Sequence, residues 1–214
     1  YGIIYDSPIS PIFKPYIDSS LFIFDYDPAQ AKKMLEEDGW KDLNGDGIIE
    51  KGKLKFSFKM YSNTGNPIRE YAATVIKNNL KEIGIEADII FVEKRELIDG
   101  LINKKYDAWL SGWTVQVPLN LDNFSDPNAE KGMFNFSSYN NRNVNELLNN
   151  IYPSDSESKK VSTYKSIGQI FKETEPITIL FWPDNLIAYN KRIKNLNISP
   201  LGLYNDAWMW QVEN

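Results

Sequence analysis

The sequence contains no cysteine and no histidine. That removes disulfides, thiolate nucleophiles, imidazole bases and nearly every zinc site at once. Positive charge is not in excess either. The 24 Lys and Arg stand against 29 Asp and Glu, a net charge of −5. This argues against a nucleic-acid partner, because neutralising phosphates needs clustered Lys and Arg. No apolar run approaches the roughly 20 residues that cross a bilayer. The chain opens on Tyr1 and carries no signal-peptide pattern, so a processed product or an excised piece of something longer is expected. A lack of cysteine is compatible with export without requiring it.

What is present is a globular composition. At 214 residues, 42% apolar and 14% aromatic, the chain can bury a real core in one or two domains. Twelve Tyr and six Trp offer flat apolar faces with a polar tip. Such side chains suit a binding surface and also fill cores.

Residues 1–26 hold Pro8, Pro11 and Pro15 and no helical period, which reads as an extended segment lying on another surface. A helix follows, with Asp27 as N-cap, Pro28 at the first helical position and Gln30 at N3. Its apolar stripe is Ala31, Met34 and Leu35. Gly39 suits a left-handed C′ position, and Trp40 should fold back onto Leu35. Asp42–Glu50, DLNGDGIIE, has oxygens at positions 1, 3 and 5 and Gly at 6 of a calcium loop. Position 12 falls on Lys53 where a bidentate Glu belongs, and an Asx-rich turn explains the same residues.

From Leu54 the chain reads β-α-β-α-β: strand Leu54–Tyr61, helix Pro67–Ile83, strand Ile85–Val92, helix Glu93–Lys104 and strand Tyr106–Ser111. This alternation implies parallel neighbours and right-handed crossovers, an α/β fold. The first helix should bury Ile68, Ala72, Val75, Ile76, Leu80 and Ile83; the second, Leu97, Ile98, Leu101 and Ile102. Two more helices are expected, one capped by Asn143 and one over Ser154–Glu175. A strand Ile177–Trp182 and β-like pieces at Leu186–Tyr189 and Leu196–Ile198 close the chain, ending with Trp208 and Trp210.

The strand Tyr106–Ser111 breaks at Gly112 into a loop with Trp113, Thr114, Gln116, Pro118, Asn120, Asp122 and Asn123. Open α/β sheets hold ligands beyond the carboxyl ends of their strands. The aromatic and amide side chains of this loop are therefore the first candidates for a ligand site. Asn135, Phe136, Tyr139 and Trp182 are second candidates. Asn135 and Tyr139 can equally order the turn before the next helix, and Trp182 can belong to core or rim.

YDPAQAKKMLEEDGW, DLNGDGIIE, LKFSFKMYSN, NPIREYAATVIKNNLKEIGIEADIIFVE, YDAWLSGW, FNFSSYNNRNVNELL and TEPITILFW resemble, in this order, the C-terminal part of the family 5 extracellular solute-binding proteins. These are oligopeptide-, dipeptide- and nickel-binding components of ABC importers. The resemblance implies one periplasmic-binding-protein-like (type II) lobe, a mixed, mainly parallel sheet flanked by helices. It implies an inter-lobe segment at 1–26, the α/β lobe at 27–185, and a crossover and tail at 186–214 directed toward an N-terminal lobe outside this chain. It further implies an extracytoplasmic place, in the periplasm or membrane-anchored as a lipoprotein at the bacterial surface. The implied partners are an ABC permease and a small-molecule ligand, with no cofactor, metal or catalysis.

In the family the loop after the GW strand often reads GWxADYPDP, whose acid can hold a peptide's α-amino group. Gly112 and Trp113 match, but Gln116 stands at the acid's position, and the DPD run is replaced by Leu119-Asn120-Leu121-Asp122. Gln116 keeps hydrogen-bonding capacity without charge, so a peptide and an oligosaccharide both remain candidate ligands. Two rival classes fit parts of the pattern. A glycosidase would use paired carboxylates such as Asp122, Asp126 and Glu130. A pure interaction module would spread its aromatics over a flat patch.

Overall fold

The computed structural model describes residues 2–18, 25–114, 116–199 and 202–213. Contacts divide the chain into two units. One is contiguous, Phe24–Trp113; the other joins Tyr1–Ile23 to Thr114–Asn214. The division falls elsewhere than the sequence boundaries at 26 and 185. Parallel strands pack with their own connecting helices, whereas the N-terminal segment packs on helices far along the chain. Positions 19–24 of the expected extended segment lie outside the described residues, as does Val115 of the loop.

The chain begins with a two-residue strand, β1 (Gly2–Ile3), and a 3-10 stretch over Pro11–Tyr16. In the contiguous unit, helix α1 (Pro28–Glu37) starts where Asp27 accepts from Gln30 N at 2.8 Å, and it leaves no residue buried. Of its expected stripe, Ala31 and Leu35 are half-buried and Met34 is 59% exposed. Gly39 takes φ +91°, which lets Trp40 N donate to Leu35 O at 2.9 Å and lays the indole on Phe56 at 4.6 Å. A short ribbon follows, β2 (Glu50–Lys51) antiparallel to β3 (Leu54–Lys55).

The sheet comprises β4 (Ser57–Asn63), β5 (Glu86–Val92) and β6 (Ala108–Trp109), linked by α2 (Pro67–Glu82) and α3 (Lys94–Ile102). Both pairings are parallel and the strand order is β5-β4-β6. The expected faces are met in part. On α2, Ala72, Ile76, Leu80 and Ile83 are half-buried and Ala73 is fully buried, while Ile68 and Val75 are exposed; on α3, Leu97 and Leu101 are buried while Ile98 and Ile102 are open. The small Ala73 lies where α2 packs on the sheet, so the centre of the buried face falls beside it. β6 is shorter than the expected strand because only Met60 and Tyr61 of β4 pair with it.

The discontinuous unit is built on α4 (Arg142–Asn149) and α5 (Glu157–Thr174). The cap of α4 is Asn141, not the expected Asn143: the Asn141 side chain accepts from Asn143 N and Val144 N at 3.0 and 3.2 Å. Ser156 caps α5, and Glu175 ends it in the left-handed region at φ 40°. The core joins Val144, Leu148, Ile167 and Phe171 to Leu121 and Phe124 of the loop and to Ile9 of the N-terminal segment. Lys172 ties the N-terminal segment to the end of α5, meeting Asp6 at 3.0 Å and Glu175 at 3.5 Å. Burial first, and then Asp6, holds the Glu175 carboxyl above its usual range.

The strand expected over Ile177–Trp182 is reduced to β7 (Trp182–Pro183), antiparallel to β1 with Ile3 opposite Trp182. β8 (Ile193–Lys194) pairs with β9 (Gln211–Val212), so neither Leu186–Tyr189 nor Leu196–Ile198 forms a named strand. β periodicity alone does not make a ladder; a neighbouring strand must supply the other half of each hydrogen bond.

Candidate ligand site

The chain leaves β4 through α2 to reach β5 on one side, then returns past β4 through α3 to β6 on the other. The carboxyl ends of β4 and β6 thus flank the point where the winding reverses, and a crevice at such a point is where open α/β sheets place ligands. Its rim is pinned from β4. Ser62, fully buried, donates its hydroxyl to Leu110 O at 2.9 Å, and Leu110 N donates to Tyr61 O at 2.8 Å. Trp113 stands half-buried at this end, its ring edge-to-face with Trp109 at 5.3 Å.

Two further side chains reach the same place. Asn63, the last residue of β4, donates from Nδ2 to Thr64 O at 2.8 Å and accepts at Oδ1 from the Arg69 guanidinium. Arg69 sits in the first turn of α2, fixed by Arg69 N donating to the Asn66 cap at 3.1 Å. Its other terminal nitrogen lies over Gly112, where an added Cβ would fall 3.3 Å from it. The neighbouring acid, Glu70, is engaged by Gly65 N at 3.0 Å. Sequence reasoning missed Asn63 and Arg69. The signal was available: NTGNPIRE follows a strand parallel to the one that ends at GW, so both loops must open on the same edge of the sheet.

The other expected site residues lie in the discontinuous unit. Thr114, Gln116 and Asn120 are exposed. Asn120 and Asp122 are brought together: Asp122 N donates to Asn120 Oδ1 at 2.6 Å, and Asn120 Nδ2 donates to Asp122 Oδ2 at 3.1 Å. The Tyr164 hydroxyl fastens this loop by donating to Leu119 O at 3.2 Å. Burial, more than nearby Tyr16 and Asp122, pushes that hydroxyl above its ordinary value, so it stays a donor.

Asn135 is 1% exposed. Its amide donates to Ser125 O at 2.7 Å and Tyr139 O at 2.6 Å, and its oxygen accepts from Tyr139 N and the Ser137 hydroxyl. Tyr139 packs edge-on to Phe171 at 5.4 Å, with its hydroxyl 2.8 Å from that of Thr174. These two residues order the loop. Half-buried Phe136 meets Phe134 edge-to-face at 6.2 Å. Trp182 lies on the β1–β7 ribbon with a buried indole N–H that has no hydrogen-bond partner.

The Asp42–Glu50 oxygens are engaged by the turn itself. Asp42 accepts from Gly45 N at 2.7 Å and Gly47 N at 2.9 Å, Asn44 from Asp46 N, and Asp46 from Ile48 N and Lys55. Glu50 accepts from Leu43 N and the Asn44 amide. A cation would have to displace these bonds without a bidentate acid at position 12. Adding calcium or EDTA is therefore expected to leave the Tm within about 1 °C, measured by scanning calorimetry.

Parallel strands with Trp113 just beyond their carboxyl ends form an α/β unit of the kind that holds ligands at that edge. Residues 1–135 match the family model described as bacterial extracellular solute-binding proteins, family 5 middle. The oligopeptide-binding protein AppA of Bacillus subtilis is 34% identical over 209 residues, 96% of this chain and 38% of AppA. The structure of AppA with a nonapeptide matches with a TM-score of 0.84 at 29% identity, covering all of this chain and 43% of that one. A Thermotoga maritima periplasmic oligopeptide-binding protein with bound mannohexaose shares the fold, with a TM-score of 0.72 at 24% identity over 84% of this chain and 36% of that one.

The chain belongs to the bacterial extracellular solute-binding proteins, family 5. It has the periplasmic-binding-protein type of fold, with a parallel sheet flanked by helices, and spans about two fifths of the length of AppA.

Proposed function

We propose that this chain is one lobe of the substrate-binding component of an oligopeptide-type ABC importer. It forms one wall of a ligand cleft, performs no catalysis and works outside the cytoplasm, in the periplasm or anchored at the cell surface. An ABC permease receives the cargo. The observation that carries this reading is the place of Trp113, just beyond the carboxyl ends of the parallel strands β4 and β6, where open α/β sheets hold ligands. Its aromatic face supplies affinity, and amides fix orientation. Thr114, Gln116, Asn120, Asp122, Phe136 and Trp182 are the further candidates for ligand contact, whereas Asn135 and Tyr139 hold the loop from within.

The second wall comes from an N-terminal lobe outside this chain. Supporting this, both ends of the discontinuous unit expose large apolar side chains: Ile3 and Ile4 at one, Leu186, Tyr204, Trp208 and Val212 at the other. Apolar surface of this kind is characteristic of regions covered by another body. β1 and β7 are then the strands that run between lobes.

A peptide is the first ligand reading, by relation to AppA. An oligosaccharide is the second, favoured by the uncharged Gln116 at the position of the family's acid. The test is titration calorimetry with short peptides on the full-length protein and on this chain alone. Binding is expected for the full-length protein and little for the chain, because closure between two walls buries the ligand. An affinity tighter than about 1 μM for the chain alone would overturn the one-wall reading.

A further inference from the structure

We infer that Asp6, Lys172 and Glu175 form a latch between the N-terminal segment and the end of α5, and that this latch closes more firmly in acid. Lys172 Nζ stands between the two carboxylates, 3.0 Å from Asp6 Oδ2 and 3.5 Å from Glu175 Oε1. The acids belong to the two stretches that the latch joins: Asp6 follows β1, and Glu175 precedes β7. With all three groups ionised, one positive charge faces two negative ones. A single proton taken up by the pair of acids brings the cluster to balance.

The surroundings make that imbalance count. The side chains of Lys172 and Asp6 are 12% and 17% exposed, and that of Glu175 is 36% exposed. Pro8, Phe171 and Ile177 wall the same place, around a cavity of about 10 Å³, near the size of one water. Charges held partly away from bulk water interact more strongly than at an open surface. Among the described residues, Asp6 from the N-terminal segment and Lys172 from α5 are the charged groups that face Glu175. Glu173, close by on α5, accepts instead from Gln169 Nε2 at 2.7 Å. Glu175 also sits at φ 40°, a left-handed place that favours glycine, so its carboxyl is held beside Lys172 against backbone strain.

Burial, then Asp6, holds the Glu175 carboxyl above its usual range, while Lys172 works in the other direction. A carboxyl raised in this way takes its proton in the folded chain before it does in the unfolded one. The fold therefore gains as pH drops through the raised value, and the gain is complete below the ordinary carboxylate range. A neutral Glu175 leaves Asp6 and Lys172 as a matched pair, so the segment that carries Ile9 is bound more tightly. Glu175 is more than a third open to water, and screening limits the response to severalfold.

The test uses the full-length protein and hydrogen exchange read by mass spectrometry. The segment carries amides that report on the latch: Ile9 N donates to Ser7 Oγ at 3.1 Å, and Phe13 N to Ser10 O at 2.9 Å. Protection over residues 3–13 is corrected for the intrinsic rate and set against α4. It is expected to rise about threefold from about pH 7.5 to about pH 5. Glu175→Gln, neutral throughout, should show the higher protection at both pH values. Asp6→Asn removes the tie and should lower protection severalfold with a flat profile. The α4 amides also show that each variant is folded. A wild-type profile without the rise, a Glu175→Gln profile that keeps it, or undiminished protection in Asp6→Asn overturns the latch.

Discussion

Replacing Ile9 with alanine is expected to cost about 3 kcal/mol of folding stability, the usual scale for deleting a buried branched side chain. Ile9 is 1% exposed and joins the cluster of Phe124, Val144, Ile167 and Phe171. Those neighbours come from the loop and from two helices, so they cannot collapse together into the vacated space. Urea denaturation should show a lower midpoint with an unchanged slope, since the surface exposed on unfolding stays nearly the same. Ile4 is the control: it is 69% exposed, and Ile4→Ala should stay within about 0.5 kcal/mol. Equal effects at the two positions would mean that the N-terminal segment is not part of the core.

Asn135→Ala should also be severe. The side chain holds the Ser125 carbonyl, both backbone groups of Tyr139 and the Ser137 hydroxyl, inside a site that excludes water. Truncation leaves buried polar groups without partners, at about 1–3 kcal/mol each. A total near 3 kcal/mol corresponds to a fall in Tm of about 10 °C for a chain of this size. Ser137→Ala removes one donor at the margin of the same network and should cost less than about 1 kcal/mol. A loss of ligand affinity by Asn135→Ala with no change in Tm would reverse its assignment, making it a contact residue instead of a loop organiser.

The sequence carried the parallel architecture because its signals are local. Asp27, Pro28 and Gly39 fix one helix through their own backbone demands, and the alternation over 54–61 and the apolar run at 87–92 need no distant partner to be recognised. The buried faces of α2 and α3 were less legible. Ile68 and Val75 look inward on a helical wheel, but Ala73 takes the fully buried place, and no spacing rule ranks a methyl above a sec-butyl or isopropyl group. The role of Ile9 was hidden for another reason. Three prolines mark its segment as irregular, and irregular backbone says nothing about which single side chain is buried.

At the carboxyl ends of β4 and β6, Trp113 was legible in the sequence and Arg69 was not. Reading one loop at a time finds the aromatic. Finding the guanidinium requires superposing the ends of two parallel strands. Asn135 shows the reverse difficulty: an amide near a candidate loop looks like a ligand group until its four hydrogen-bonding positions prove to be occupied from within.

The split of the chain has a consequence for how it is made. Residues 24–113 are contiguous and can complete their sheet as soon as they emerge during synthesis. The surrounding unit cannot, because Ile3 pairs with Trp182 and Asp6 with Lys172, and Ile9 packs on helices synthesised much later. Residues 2–18 must stay uncommitted while residues 24–113 fold, then close a long loop before their own core exists, a step that high contact order makes slow. A polypeptide stalled before α5 would therefore present a complete three-stranded sheet and an unassembled, sticky segment at residues 2–18.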